Sequence, residues 1–142
     1  MSDAARPWRA IDPPELADPV GYANAIETIG GRRITLAGQT AMDPTGAIVH
    51  PGDIAAQAAK AFSNLAVVLR AADAKPEHLV RMRIFVVDAV AYKRHGKTIG
   101  AAYREHFGRW FPAMTLVQVV RLYDDDALIE VEAEAVVPET DA

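Results

Sequence analysis

At 142 residues, with a formal net charge of −4 and a pI near 5.5, the chain fits one domain and lacks the basic excess of a nucleic-acid-binding surface. It contains no cysteine, which excludes disulfides, thiolate chemistry and Cys-based zinc sites. No apolar run approaches the roughly 18 residues needed to span a bilayer, and Met1-Ser2-Asp3-Ala4-Ala5-Arg6 lacks the apolar core of a signal peptide, so a cytoplasmic protein without membrane contact is expected.

Residues 1–20 hold Pro7, Pro13, Pro14 and Pro19 with few periodic apolar positions and read as an extended lead segment of the single domain, 1–142. Residues 22–29 and 32–37 are strand-like, and Gly30-Gly31 between them is a two-residue hairpin signal. Asp53 is a suitable N-cap for a helix in which Ile54, Ala58, Ala61, Phe62, Leu65, Val68, Leu69 and Ala72 recur at helical spacing. Residues 80–87 form the next strand, closed by Asp88. Val80, Met82, Ile84 and Val86 alternate there with Arg81, Arg83, Phe85 and Val87. A second helix is predicted over residues 90–107, packing through Tyr92, Ile99, Tyr103 and Phe107 and turning Lys93, Arg94, Lys97 and Arg104 largely outward.

Residues 107–137 are expected to end the chain in a hairpin around Tyr123-Asp124-Asp125-Asp126, with Pro112 ahead of its first strand. In its second strand Ile129, Val131, Ala133, Ala135 and Val137 face one way and Glu130, Glu132 and Glu134 the other. The first strand is apolar on both faces, through Met114, Leu116 and Val120 on one side and Val117 and Val119 on the other. It calls either for a second subunit as cover or for a central place with partial cover inside the monomer. The order ββ-α-β-α-ββ, with both helices on one face of a mixed sheet, gives an α+β architecture.

Few chemistries fit the polar residues. His50, His78, His95 and His106 are scattered without ligand spacing and are expected at surfaces or helix edges, so no metal is expected. Ser2 and Ser63 sit in no nucleophile motif. The row Glu130, Glu132, Glu134 reads either as a face ion-paired to Arg81, Arg83 or Arg121, or as the source of one water-positioning carboxylate at a subunit boundary.

The pieces Tyr22-Ala23-Asn24-Ala25, Leu36-Ala37-Gly38-Gln39, Asp53 entering its helix, Arg81 to Asp88, Phe111-Pro112-Ala113, Val120-Arg121-Leu122 and Ile129-Glu130-Val131-Glu132-Ala133 resemble, in order and spacing, the RidA (YjgF/YER057c/UK114) family, often labelled L-PSP endoribonuclease. The resemblance implies a chorismate-mutase-like fold, a homotrimer and small-molecule clefts between subunits, with no cofactor. It implies hydrolysis of a reactive imine or enamine, with Glu130 positioning the water and Tyr22, Ala37, Gly38 and Gln39 shaping the cleft. The family's carboxylate-holding arginine is replaced by Met114, its loop serine by Ala37 and its helix asparagine by Gly100. Losing one charge-assisted contact of about 1.5–3 kcal/mol should weaken a carboxylate ligand at least about tenfold.

The expectation is therefore a divergent member with weak or absent activity on amino-acid imines and a cleft favouring neutral or cationic ligands, unless Arg83 reaches in as a ligand-binding substitute. A non-catalytic, metabolite-binding trimer is the second reading. Ribonuclease activity suits the chain poorly, because its net charge repels RNA.

Overall fold

Asp53 opens the longest helix by accepting the backbone N–H of Ala56 at 3.0 Å, satisfying a donor that the first turn cannot pair internally. The computed structural model describes residues 7–139 and runs β1 (Arg9–Ile11), β2 (Ala25–Glu27), β3 (Arg32–Gln39), α1 (Ile54–Ala71), a 3-10 turn (Pro76–His78), β4 (Leu79–Val86), α2 (Ala89–Arg94), α3 (Gly96–Phe107), β5 (Ala113–Gln118) and β6 (Ile129–Val137). The main sheet has the order β3-β6-β4-β5, with β6 antiparallel to both neighbours and β5 parallel to β4. The helices lie over one face and make the α+β architecture expected from the pattern.

The predicted apolar stripe of α1 is the one that packs. Ile54, Ala58, Ala61, Phe62, Leu65 and Leu69 are buried against Met82, Ile84 and Val86 of β4 and Ile129, Val131, Ala133 and Ala135 of β6. Phe62 meets Tyr103 and Phe107 of α3 edge-on, with ring centroids 5.7 and 5.9 Å apart. Buried Gln57 ties α1 to the acidic loop. Its Nε2 donates to the carbonyl of Asp126 at 2.9 Å and its Oε1 accepts the N–H of Leu128 at 2.8 Å.

Four expectations are corrected. The C-terminal hairpin does not form, because β6 inserts between β3 and β4 while β5 pairs with β4 on the far side. The α2–α3 crossover returns the chain in the direction of β4, and helical crossovers of this kind produce parallel neighbours. Strand β5 is accordingly an edge strand and not a central one.

The Gly30-Gly31 hairpin is absent as well. β2 pairs with β1, a short strand within the extended lead segment, and β3 pairs with β6. Both glycines have positive φ, but Gly31 also runs so close to β6 that a Cβ would lie 2.7 Å from the carbonyl oxygen of Val137. The part of the lead before residue 7, including the segment judged for a signal peptide, lies outside the described residues.

The predicted second helix is two helices. α2 is capped by Asp88, whose Oδ1 accepts the N–H of Ala91 at 3.0 Å, and it ends at His95 before α3 begins at Gly96. Finally, His78 is not at a surface: it is 2% exposed, and its Nδ1 accepts the backbone N–H of Lys75 at 2.9 Å.

Candidate functional site

Tyr22 reaches the sheet edge because the residue after it is hooked there. The N–H of Ala23 donates to the carbonyl of Pro112 at 3.0 Å, and Ala23 bridges Ala113 in parallel. This sets Tyr22 beside Met114 at the mouth of a cavity of about 710 Å³ between α3 and β5. Tyr92, Gly100, Tyr103, Arg104, Phe111 and Leu116 line the rest of it. Tyr103 stacks on Phe111 at 5.3 Å and donates its hydroxyl to the carbonyl of Trp110 at 2.6 Å, so it is a wall and not a free acid. Burial pushes the phenol pKa of Tyr92 upward, which keeps it protonated.

The second constellation lies on the other side of the sheet. Between Leu36, opposite Ala133, and Gln39, opposite Val131, β3 carries one residue more than β6, so Ala37-Gly38 forms a β-bulge. The bulge presses Gly38 onto Glu130: a Cβ there would overlap the carboxylate, lying 2.9 Å from Cδ and 3.0 Å from Cγ. Glycine is therefore favoured here by space and not by backbone angle, since any side chain would oblige Glu130 to move. Burial first, then the charges of Glu132 and Asp124, raise the pKa of Glu130. Arg83 does not relieve it, since its guanidinium donates to Glu132 Oε1 at 3.0 Å and lies 3.8 Å from Glu134 Oε1. Arg121 pairs with Asp125 instead of the glutamate row.

Sheet register fixes the relation of the two constellations. Met114 pairs with Met82, whose side chain is buried under the helices, while Glu130 pairs with Phe85 on the alternate face. Within one protomer Tyr22 and Met114 thus share the helix-side cavity, whereas Ala37, Gly38, Gln39, Arg83 and Glu130 belong to the bulge and the open sheet face. Arg104, expected on the outer side of α3, is indeed exposed, and from there it also borders the cavity, which the pattern alone did not show. The signal was Gly100 four residues earlier on the same helix face, an opening into which a long side chain folds back. Among the described residues no helix is long and apolar enough to cross a membrane, and no three His, Asp or Glu side chains are grouped to hold a metal ion.

The family model described as Endoribonuclease L-PSP matches residues 15–137. A RutC family protein of Pyrococcus abyssi is 36% identical over 119 residues, 82% of this chain and 87% of that protein. A 2-iminobutanoate/2-iminopropanoate deaminase of Bos taurus is 30% identical over 115 residues, 81% of this chain and 79% of that protein. Among solved structures, YyfB of the Rid protein family from Yersinia pestis superimposes with a TM-score of 0.82 at 31% identity, covering 92% of this chain and 98% of that one. TdcF of E. coli, solved with bound serine, gives 0.63 at 26% identity, covering 92% and 99%. The bulge, the edge cavity and a match spanning nearly the whole described chain lead to one conclusion: this protein belongs to the RidA (YjgF/YER057c/UK114) family, whose older label is endoribonuclease L-PSP.

Proposed function

We propose that the chain hydrolyses the imine or enamine of a small metabolite in clefts shared between copies of itself, assembled as a homotrimer, and that short 2-imino acids are poor substrates. The observation that carries the reading is Glu130, a carboxylate pressed against the Gly38 bulge with no cation paired to it among the described residues, with its proton affinity raised. Such a group takes the proton of an attacking water as the water oxygen adds to the imine carbon. The nitrogen is protonated, the C–N bond of the resulting carbinolamine breaks, ammonia leaves and a carbonyl remains. The likeness to a 2-iminobutanoate/2-iminopropanoate deaminase supports this class of reaction.

The need for a second copy follows from the register: Glu130 and the Met114 cavity are on opposite faces of one sheet, so only another protomer brings them to one cleft. Exposed apolar groups at the end of β5 and beyond it suit such an interface. Val117 is 41%, Val120 100% and Tyr123 94% exposed. Poor use of short imino acids follows from Met114, which offers a flexible apolar wall where a guanidinium would hold the carboxylate.

Ammonia release from 2-iminopropionate tests both halves. Slow turnover is expected in the natural protein, at least about tenfold faster turnover in Met114→Arg, and none above background in Glu130→Ala. Turnover by the natural protein equal to that of an arginine-bearing relative would sink the specificity, and an active Glu130→Ala would sink the mechanism. A monomer in analytical ultracentrifugation would sink the shared cleft. Retained ligand binding without turnover of any imine would mark the protein as a binding module.

A further inference from the structure

We infer that Arg104 makes the helix-side cavity an anion-binding site, and that its ligand is a carboxylate carried on a bulky apolar body, aromatic or branched. The inference rests on reading this cavity as the ligand site. It reverses the preference for neutral or cationic ligands expected from Met114 alone.

Three observations converge on it. Within one protomer Arg104 is the one charged residue among the described residues lining this cavity, and no Asp or Glu of the same copy shares the lining; the Glu130 of the proposed shared cleft comes from another copy. The smaller cavity of about 530 Å³ beside α2 differs, because there Asp53 and Asp88 stand with Arg94. Next, Arg104 makes no hydrogen bond or ion pair with any described residue, whereas Arg83 and Arg121 are each held by carboxylates. An exposed guanidinium at the rim of an apolar wall, with no carboxylate holding it, keeps its donors available to an external anion.

Lastly, the guanidinium is folded back along α3: a Cβ on Gly100 would lie 3.3 Å from its Nη1. The space left by Gly100 lets the exposed Arg104 lie back along the helix at the rim of the cavity. The surrounding helices add to the field, since Lys93, Arg94, Lys97 and Arg104 outnumber Glu105 in residues 89–107 of a chain whose net charge is −4.

The chemical class follows from the walls. Tyr22, Tyr92, Tyr103 and Phe111 surround a space far larger than a two- or three-carbon acid fills, and Met114 adds an adaptable thioether. Arg104 enters from the helix and Met114 from the strand. An anion bound by Arg104 therefore sits on the helix side of the cavity, and an apolar body is needed to fill the distance to the strand.

Calorimetric titration with 3-phenylpropionate and its neutral isostere 3-phenylpropanamide tests the inference on the full chain. The natural protein is expected to bind the acid at least about tenfold more tightly than the amide. Arg104→Gln should remove that preference and leave the amide affinity unchanged, and Arg104→Lys should keep most of it. An unchanged preference in Arg104→Gln, or the absence of acid binding or of acid preference in the natural protein, overturns the inference. Should Arg104→Gln not fold, Arg104→Lys and the natural protein's acid-to-amide ratio decide. The readout needs no turnover, so a protein that binds the acid through Arg104 but deaminates nothing would refute the enzymatic reading and leave this one standing.

Discussion

The two faces of the β3-β6-β4-β5 sheet are built on opposite rules. Under the helices, β4 and β6 present Met82, Ile84, Val86, Ile129, Val131 and Ala133, all buried, and among the described residues every buried side-chain N or O atom has a partner, as Gln57 does. The open face carries Arg83, Glu130, Glu132 and Glu134 at partial exposure and Arg81 exposed, and its strongest ion pair, Arg83 with Glu132, leaves both side chains 35% exposed. A pair so solvated contributes about 0–1 kcal/mol. The helix side thus holds the stability of the fold, and the open side is free to hold a carboxylate in an unfavourable state, which is what proton transfer needs.

That contrast predicts unequal responses to substitution. Phe62→Ala removes a fully buried ring that contacts Tyr103 and Phe107, and should cost about 3–5 kcal/mol in urea unfolding. A cost comparable to that of an open-face substitution would erase the distinction. Gln57→Leu keeps the volume but strands the N–H of Leu128 and the carbonyl of Asp126, and should cost about 1–3 kcal/mol. Because those groups sit at the entrance to β6, the same variant should speed amide exchange in residues 124–128 more than in α3, and uniform exchange would deny Gln57 its anchoring role.

The same contrast explains what was legible in the sequence. Helix α1 and the alternation of β4 and β6 were readable because burial on one face writes a period of 3.6 or 2 into the chain. Pairing was not readable. Nothing in Ala113–Gln118 states that its partner is β4, since an apolar run fits either neighbour and only the α2–α3 crossover sets the direction. The Gly30-Gly31 signal was real as backbone geometry and misleading as topology, because Gly31 answers to the approach of Val137 and not to a hairpin. At the site, Glu130 and Gly38 could be named from their motif, yet their contact depends on a bulge that motif spacing does not reveal. Arg104 was legible as an exposed residue, but its place at the cavity rim was not, because the fold of its side chain over Gly100 is not written in the charge pattern.

The smallest effect is also the one whose sign separates the faces. Burial and the neighbouring acids raise the folded-state pKa of Glu130 above its ordinary value of 4.5, so the folded chain binds that proton more tightly than the unfolded chain does. Between the two pKa values stability falls as pH rises, and above the folded value the loss is complete. Glu130→Gln removes this penalty. It should raise the urea midpoint at neutral pH, and the gain should shrink towards zero as pH drops below the usual carboxylate range, near about 4, while imine turnover is lost at every pH. A neutral-pH midpoint below that of the natural protein would mean that ionised Glu130 is held by a favourable contact, and the open face would then be a second store of stability instead of a place where some is given up for chemistry.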